Sequence, residues 1–511
     1  MRIFLSFLFF CFWTLGFSQQ AASTIPNVLQ VKKNFNFLQF DDQALMKQLV
    51  SGLQSAKSSG YTIVHFGDSH IQAETPTAVV RKNLQAEYGD GGKGMMFAYS
   101  AANSYSSILY STSHTGNWTY AKSFQSAPKL PLGVTGMTVR TDEKNVKLIF
   151  TLKKPSPSYQ NLKVFIKKDT SSFDFNLITN EATIRIKLAD YLSSSLPYIE
   201  IPIIGNQTSF TIETVQNRAH QNHFEFYGMS LETPSKKGIL YHSVGVGASQ
   251  YGSLLLEELL DDQLPALSPN LIVLDFGTNN YLYDNQVKPE LGVQIEKIIS
   301  DLRVMCPKAL ILLTSTQDLY YKSKHVTEGI TFRNLVDSLA KKNKCLFWDW
   351  YAVAGGKKSL TKWRDAGYAQ SDLVHLTSKG YELKGQLLFE AIKNSMDSIQ
   401  KNPAVSQLLL SYTESKDIVQ TTAEVPKKAE IAPVKPKKEE VKPKVPEVKT
   451  TVTPKKPEVK KPVAKAKSHT VKKGDTLYGL SAKYKVSVAQ LKKANRLKSD
   501  NLQIGQKLII P

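Results

Sequence analysis

Four short apolar runs, spaced among helical patterns, constrain this chain more than any other feature. Residues 61–66 read YTIVHF, 271–276 LIVLDF, 310–314 LILLT and 345–348 CLFW. Helical periodicity covers 41–58, where Leu45, Met46, Leu49, Val50 and Leu53 recur on one face, with Asp41 or Asp42 as cap and Gly60 as stop. It returns over 249–260, 294–305, 333–342 and 379–399. A strand that is apolar without alternation is buried on both faces. Such strands, interleaved with helices, predict an α/β fold: a parallel sheet between two helical layers.

The pattern changes between the first run and the rest. Residues 115–235 hold alternating segments at 137–140, 145–152, 162–167, 183–187, 198–204, 210–214 and 224–231, separated by turn residues. Short alternating strands without a helical period predict a β-sandwich inserted into the α/β unit. The chain leaves that unit near Tyr110 and returns near Gly238.

The chain has 511 residues and a formal charge of +21, and the excess is local. Residues 424–467 hold 14 Lys, 6 Glu and 8 Pro, a net +8, and residues 469–511 add +7. A Lys/Pro/Val/Glu stretch cannot bury a core, so it reads as a disordered, semi-rigid spacer. A nucleic-acid surface needs basic residues on a folded face. Charge on a tail suits adhesion to an acidic wall polymer or headgroup surface, and no nucleic-acid partner is implied.

At the N-terminus Arg2 precedes an apolar stretch from residue 3 to 17, and Gly16-Phe17-Ser18 offers a cleavage site. This predicts a signal peptide over 1–18 and a secreted protein of the periplasm or cell envelope. The stretch is short for a membrane span, so no transmembrane segment is expected after cleavage. Cys11 lies inside the apolar core, without the small residues of a lipoprotein signal. Cys306 and Cys345 remain, either as a disulfide or as two buried thiols.

Four stretches carry chemistry. Gly67-Asp68-Ser69-His70 follows the first strand, where open parallel sheets build their sites. Ser69 there is a candidate nucleophile, although Asp68 and Ser69 would also serve as helix caps. Asn279, in Gly277-Thr278-Asn279-Asn280 after the second strand, can donate to a developing oxyanion; so can the backbone of Gly245-Val246-Gly247. Asp372-Leu373-Val374-His375 precedes the last helix and spaces a carboxylate to orient an imidazole that faces the serine. His375 read alone is equally a cap or a surface residue.

In this order, Gly67-Asp68-Ser69, Gly245/Gly247, Gly277-x-Asn279 and Asp372-x-x-His375 resemble the four blocks of the SGNH, or GDSL-type, esterase superfamily. The resemblance covers roughly 40–110 and 238–400. It implies a three-layer parallel-sheet hydrolase with Ser69, Asp372 and His375 catalytic. The oxyanion hole would comprise the Ser69 N–H, the Asn279 amide and a glycine N–H, Gly247 being preferred to Gly245. No cofactor or metal is implied. Asn280 departs from the acidic residue that many relatives carry after the block-three Asn.

Residues 469–511 resemble a LysM domain from end to end, a βααβ module that binds N-acetylglucosamine polymers such as peptidoglycan. By that resemblance Asp475, Thr476, Leu477, Asp500, Asn501, Leu502 and Ile504 line its glycan groove, although Thr476 and Leu477 also cap and pack the module. The chain then divides into a signal peptide (1–18), a hydrolase domain (19–114 and 238–405) interrupted by a carbohydrate-binding-like β-sandwich (115–237), a linker (406–468) and a LysM domain (469–511). Tyr88-Gly-Asp-Gly-Gly-Lys-Gly94 lacks the spacing of a phosphate loop. It resembles a mobile glycine-rich loop beside the cleft of peptidoglycan O-acetylesterases. These resemblances imply a secreted esterase that removes O-acetyl groups from peptidoglycan. The alternatives are another acetylated polysaccharide or lipid as substrate, or a non-catalytic wall-binding scaffold.

Overall fold

The computed structural model describes residues 25–156, 159–414, 467–471, 480, 484, 486, 488–495, 497, 502–503 and 505–510. The expected signal peptide, most of the Lys/Pro linker and Asp475, Thr476, Leu477, Asp500, Asn501 and Ile504 lie outside the described residues. The chain divides into two compact units, residues 1–419 and 420–511.

The first unit is built on a six-stranded sheet in the order Leu38–Gln39, Leu346–Trp348, Leu310–Thr314, Leu271–Asp275, Tyr61–Gly67 and Ile239–Gly245. Five strands run parallel, and Leu38–Gln39 pairs antiparallel at one edge. The apolar runs fill both faces, as their lack of alternation requires. Ile63, Val273 and Leu312 pack on one face against Leu49 and Leu53 of helix Gln43–Ser59 and Leu387 and Ile392 of helix Ser378–Lys401. Val64, Ile272 and Leu313 pack on the other against Ile295 and Ile299 of helix Pro289–Met305 and Phe332 and Val336 of helix Gly329–Lys342.

Two antiparallel sheets form the inserted part. One runs Thr183–Ile186, Asp174–Ile178, Ser209–Val215, Lys147–Leu152, Tyr110–His114; the other runs Tyr198–Pro202, Asn161–Ile166, Phe224–Glu232, Met137–Thr141, Thr119–Lys122. Phe150, Phe175, Phe210 and Phe226 share their apolar core.

Two local expectations are corrected, and one strand is added. The glycine-rich segment is not a loop beside the cleft: Gly92–Met96 is a strand paired with Phe224–Glu232, and Asp90 bridges to Ile239. Gly94 has φ +81°, and a Cβ there would fall 2.5 Å from the Tyr241 carbonyl oxygen, so the glycines allow close backbone approach. Residues 249–260 are not one helix: a 3-10 turn, Tyr251–Leu256, ends where Glu257 turns into the interior, and an α-helix resumes at Leu260–Ala266. Ile239–Gly245 is a further strand, which His242 and Ser243 conceal from a search for apolar runs. Cys306 and Cys345 are separate buried thiols.

In the second unit, Lys467–Thr470 and Lys507–Ile510 pair antiparallel, and helix Val488–Asn495 lies between them in sequence. Val471, Leu480, Leu491, Leu508 and Ile510 form its core, and Leu502 packs against it.

Candidate active site

Sheet register brings the distant motifs together. Gly67 is aligned with Gly245 on one side and Asp275 on the other, so the three following loops leave the same edge of the sheet. A Cβ on Gly67 would fall 2.9 Å from the Asp275 carbonyl oxygen, and one on Gly245 2.2 Å from the Gln72 nitrogen. Both glycines let the Ser69 turn sit down between its neighbours.

Asp68 caps the four-residue helix Ser69–Gln72 by accepting from the His70 N–H at 2.9 Å. Burial raises the Asp68 carboxyl to about 7, against the pull of that N–H. Ser69 is thus the first helical residue, at the mouth of the sheet.

Ser69 Oγ lies 2.9 Å from His375 Nε2, and His375 Nδ1 lies 2.7 Å from Asp372 Oδ2. The other Asp372 oxygen accepts from the N–H groups of Val374 and His375, each at 3.0 Å. Leu373 adopts φ +55°, a left-handed turn that folds Asp372 back over these donors. Partial burial works to raise the Asp372 carboxyl. The His375 ring and the two N–H groups outweigh it and hold the carboxyl at about 2.

The expected oxyanion donors line the same cleft. In the structure Gly247 and Asn279 have protein acceptors. Gly247 N–H donates to Gln72 Oε1 at 2.6 Å. Asn279 Nδ2 donates to the Ser249 carbonyl at 3.0 Å and to Asp68 Oδ2 at 3.4 Å. Gly245 belongs to its strand, so Gly247 is the glycine that faces the cleft. Asn280 Oδ1 accepts from the Tyr251 N–H at 3.3 Å, which gives that residue a positioning role.

Motif reasoning missed the support behind His375. The Gln317 carboxamide oxygen accepts from the Trp350 indole N–H at 3.1 Å. Its nitrogen therefore donates to the Val374 carbonyl at 2.8 Å and to His70 Nε2 at 3.3 Å. His70 must then carry its proton on Nδ1, donated to the Tyr381 oxygen at 2.8 Å. Burial and the adjacent His375 hold the His70 imidazole well below its usual range, so it stays neutral. Its ring lies 5.2 Å from that of His375. Beneath the site, Asp275 binds Lys384 Nζ at 2.7 Å and Thr314 Oγ1 at 2.9 Å, with His65 Nε2 at 3.5 Å. This buried pair ties the last helix to the sheet.

The cleft has a volume of about 910 Å³. Tyr105 and Phe124 line it together with Tyr283, Tyr320 and Tyr321, and Lys122 and Lys322 are its lysines. Exposed aromatic rings at a cleft are apolar platforms for ligands with apolar ring faces.

A GDSL-like Lipase/Acylhydrolase family model matches residues 232–383, and a LysM domain model matches residues 469–511. The first span includes Gly247, Asn279, Asp372 and His375; Ser69 precedes it and joins them through the sheet. A solved structure described as "Peptidoglycan O-acetylesterase in action, 5 min" is similar in fold, with TM-score 0.57 and 20% identity, over 71% of this chain and 99% of that one. Among curated proteins, the "Probable N-acetylmuramidase" of Lactococcus lactis subsp. lactis (strain IL1403) is 58% identical over 43 residues, 8% of this chain and 10% of that protein. The "Autolysin" of Enterococcus faecalis (strain ATCC 700802 / V583) is 49% identical over 45 residues, 9% of this chain and 6% of that protein. The chain spans about a tenth of the length of the first curated relatives it matches. Among the described residues no helix is long and apolar enough to cross a membrane. The chain thus carries a GDSL-like lipase/acylhydrolase domain, joined through a linker to a C-terminal LysM domain.

Proposed function

We propose that this chain is a secreted serine esterase that removes O-acetyl groups from peptidoglycan. The observation that carries the esterase reading is the run of contacts from Ser69 Oγ to His375 Nε2 at 2.9 Å and from His375 Nδ1 to Asp372 at 2.7 Å. Ser69 Oγ attacks the acetyl carbonyl carbon while His375 Nε2 takes the hydroxyl proton. Asp372 holds the imidazole in the tautomer with its proton on Nδ1 and stabilises the imidazolium that forms. The Ser69 and Gly247 N–H groups and the Asn279 amide hold the oxyanion. His375 returns the proton to the leaving sugar hydroxyl. It then activates water against the acetyl-enzyme, releasing acetate and restoring Ser69.

The glycan part of the reading rests on the LysM match and the aromatic lining of the cleft. The fold likeness to a peptidoglycan O-acetylesterase and the short matches to an N-acetylmuramidase and an autolysin point to the same polymer. The signal-like residues 1–18 would place the protein in the periplasm or cell envelope. Tethering by a wall-binding module raises the local concentration of ester without new contacts at the active site.

The test is acetate release from O-acetylated peptidoglycan and from acetylated xylan, by wild type and by Ser69→Ala. The expected result is release from peptidoglycan by wild type and a loss on the order of 10³-fold or more in the variant. Equal release by both proteins removes Ser69 from the chemistry, and release from xylan alone moves the substrate.

A further inference from the structure

One charged group in the cleft has no part in the ester chemistry. Lys122 ends strand Thr119–Lys122 of the inserted sheets and lines the cleft that holds Ser69 and His375. The residue is only 8% exposed. Its ammonium donates to the Asn103 carbonyl at 3.0 Å and lies 5.1 Å from the Tyr120 ring centre and 5.9 Å from that of Phe124. Among the described residues no carboxylate stands within ion-pairing distance of it, and burial alone lowers it to about 8. The other charged or titratable side chains lining the cleft are Lys322, His375 and Asp372, apart from its tyrosines, and both Asp372 oxygens are engaged by His375 and Val374.

A cation sheltered from water without a counter-ion is costly to the fold and gains when an anion binds. A carbonyl and two aromatic rings compensate it only in part. We propose that Lys122 anchors an anion subsite for a carboxylate carried by the glycan, through which the inserted sheets select acidic acetylated sugars over neutral ones. This rests on the reading of the cleft as a glycan site. Muramic acid carries a lactyl ether whose carboxyl is free where no peptide is attached; where a peptide is joined, that carboxyl is an amide and the peptide's own carboxyl groups stand near the acetylated sugar. Acetylxylan backbones have none.

The experiment measures binding of N-acetylmuramic acid and of its carboxamide to the full chain by calorimetry, without turnover. Wild type is expected to bind the acid at least about tenfold more tightly than the carboxamide, a preference that narrows as salt rises. Lys122→Met should bring the ratio to about one, and Lys122→Arg should keep much of it. Any contribution of the LysM domain is common to all three proteins and drops out of the comparison. A wild-type ratio near one overturns the proposal, as does a ratio that survives in Lys122→Met. Because the ligands carry no ester, failure of acetate release would sink the esterase reading while leaving this ratio measurable.

Discussion

The Gly247 amide nitrogen donates its proton to the Gln72 carboxamide oxygen, 2.6 Å away. The proposed oxyanion must displace that oxygen before it can use the donor. Gln72 also donates to Ser104 and to the Tyr105 carbonyl, at 3.0 and 3.1 Å, so it is anchored on the cleft wall. Gln72→Ala should raise kcat on a small aryl acetate by about fivefold, the worth of one net hydrogen bond of ~1 kcal/mol. Steady-state kinetics check this, and a fall in kcat would deny Gly247 its place in the oxyanion hole.

Gln317 does not line the cleft and supports His375 from behind, through the Val374 carbonyl and His70. Gln317→Glu keeps an acceptor for the Trp350 indole and loses the donor to the Val374 carbonyl and His70. The expected outcome is a fall in kcat of about 10- to 100-fold with KM little changed, since misplacing a base by ~1 Å costs on that order. A thermal melt run alongside separates positioning from unfolding. A proportionate loss of Tm would mark Gln317 as structural only.

Lys384→Met should destabilise the first unit by about 3–5 kcal/mol, because it strands the buried Asp275 carboxylate. Burial works to raise Asp275, but the Lys384 ammonium and the adjacent His65 ring hold it well below the usual carboxylate range. A depressed carboxyl contributes stability above its unfolded value near 4, and that stability fades as pH falls. The gap between wild type and variant in urea denaturation should therefore be widest at neutral pH and shrink below about pH 4. A gap constant from pH 7 to pH 3 would contradict the ion pair.

Removal of residues 420–511, the second compact unit, should leave aryl acetate hydrolysis within about twofold of the full chain and sharply reduce binding to intact sacculi. A pull-down with purified sacculi measures it. Undiminished binding would place the wall contact in the first unit.

Much of this was legible in the residues because it rests on local rules. The unbroken apolar runs at 61–66, 271–276 and 310–314 became neighbouring strands of one sheet. The loops that follow two of them supplied Ser69 and Asn279, since parallel strands end on one edge. Asp372 and His375 were visible because a three-residue spacing is itself local geometry. Gln317 was not, because its value lies in three partners that only the folded chain assembles. Lys122 sits in an ordinary strand pattern, and nothing in that pattern marks a lysine whose ammonium is buried in a cleft. The segment Gly89–Gly94 misled for a related reason: its glycines answer to backbone remote in sequence, Gly91 to Ile239, Gly92 to Leu231 and Gly94 to Tyr241.

The strand that presents Ser69 is interior to the sheet, bounded on both sides by strands translated after the whole inserted sandwich. The first neighbour, Ile239–Gly245, is complete only at residue 245 and the second, Leu271–Asp275, at residue 275, and the imidazole arrives a hundred residues later still. If the proposed esterase chemistry holds, a partial chain on the ribosome, or one clipped within the sandwich and unable to hold its pieces together, is inert toward esters. On the proposed esterase reading, hydrolytic competence appears only with the finished unit, so the order of synthesis is its own safety catch.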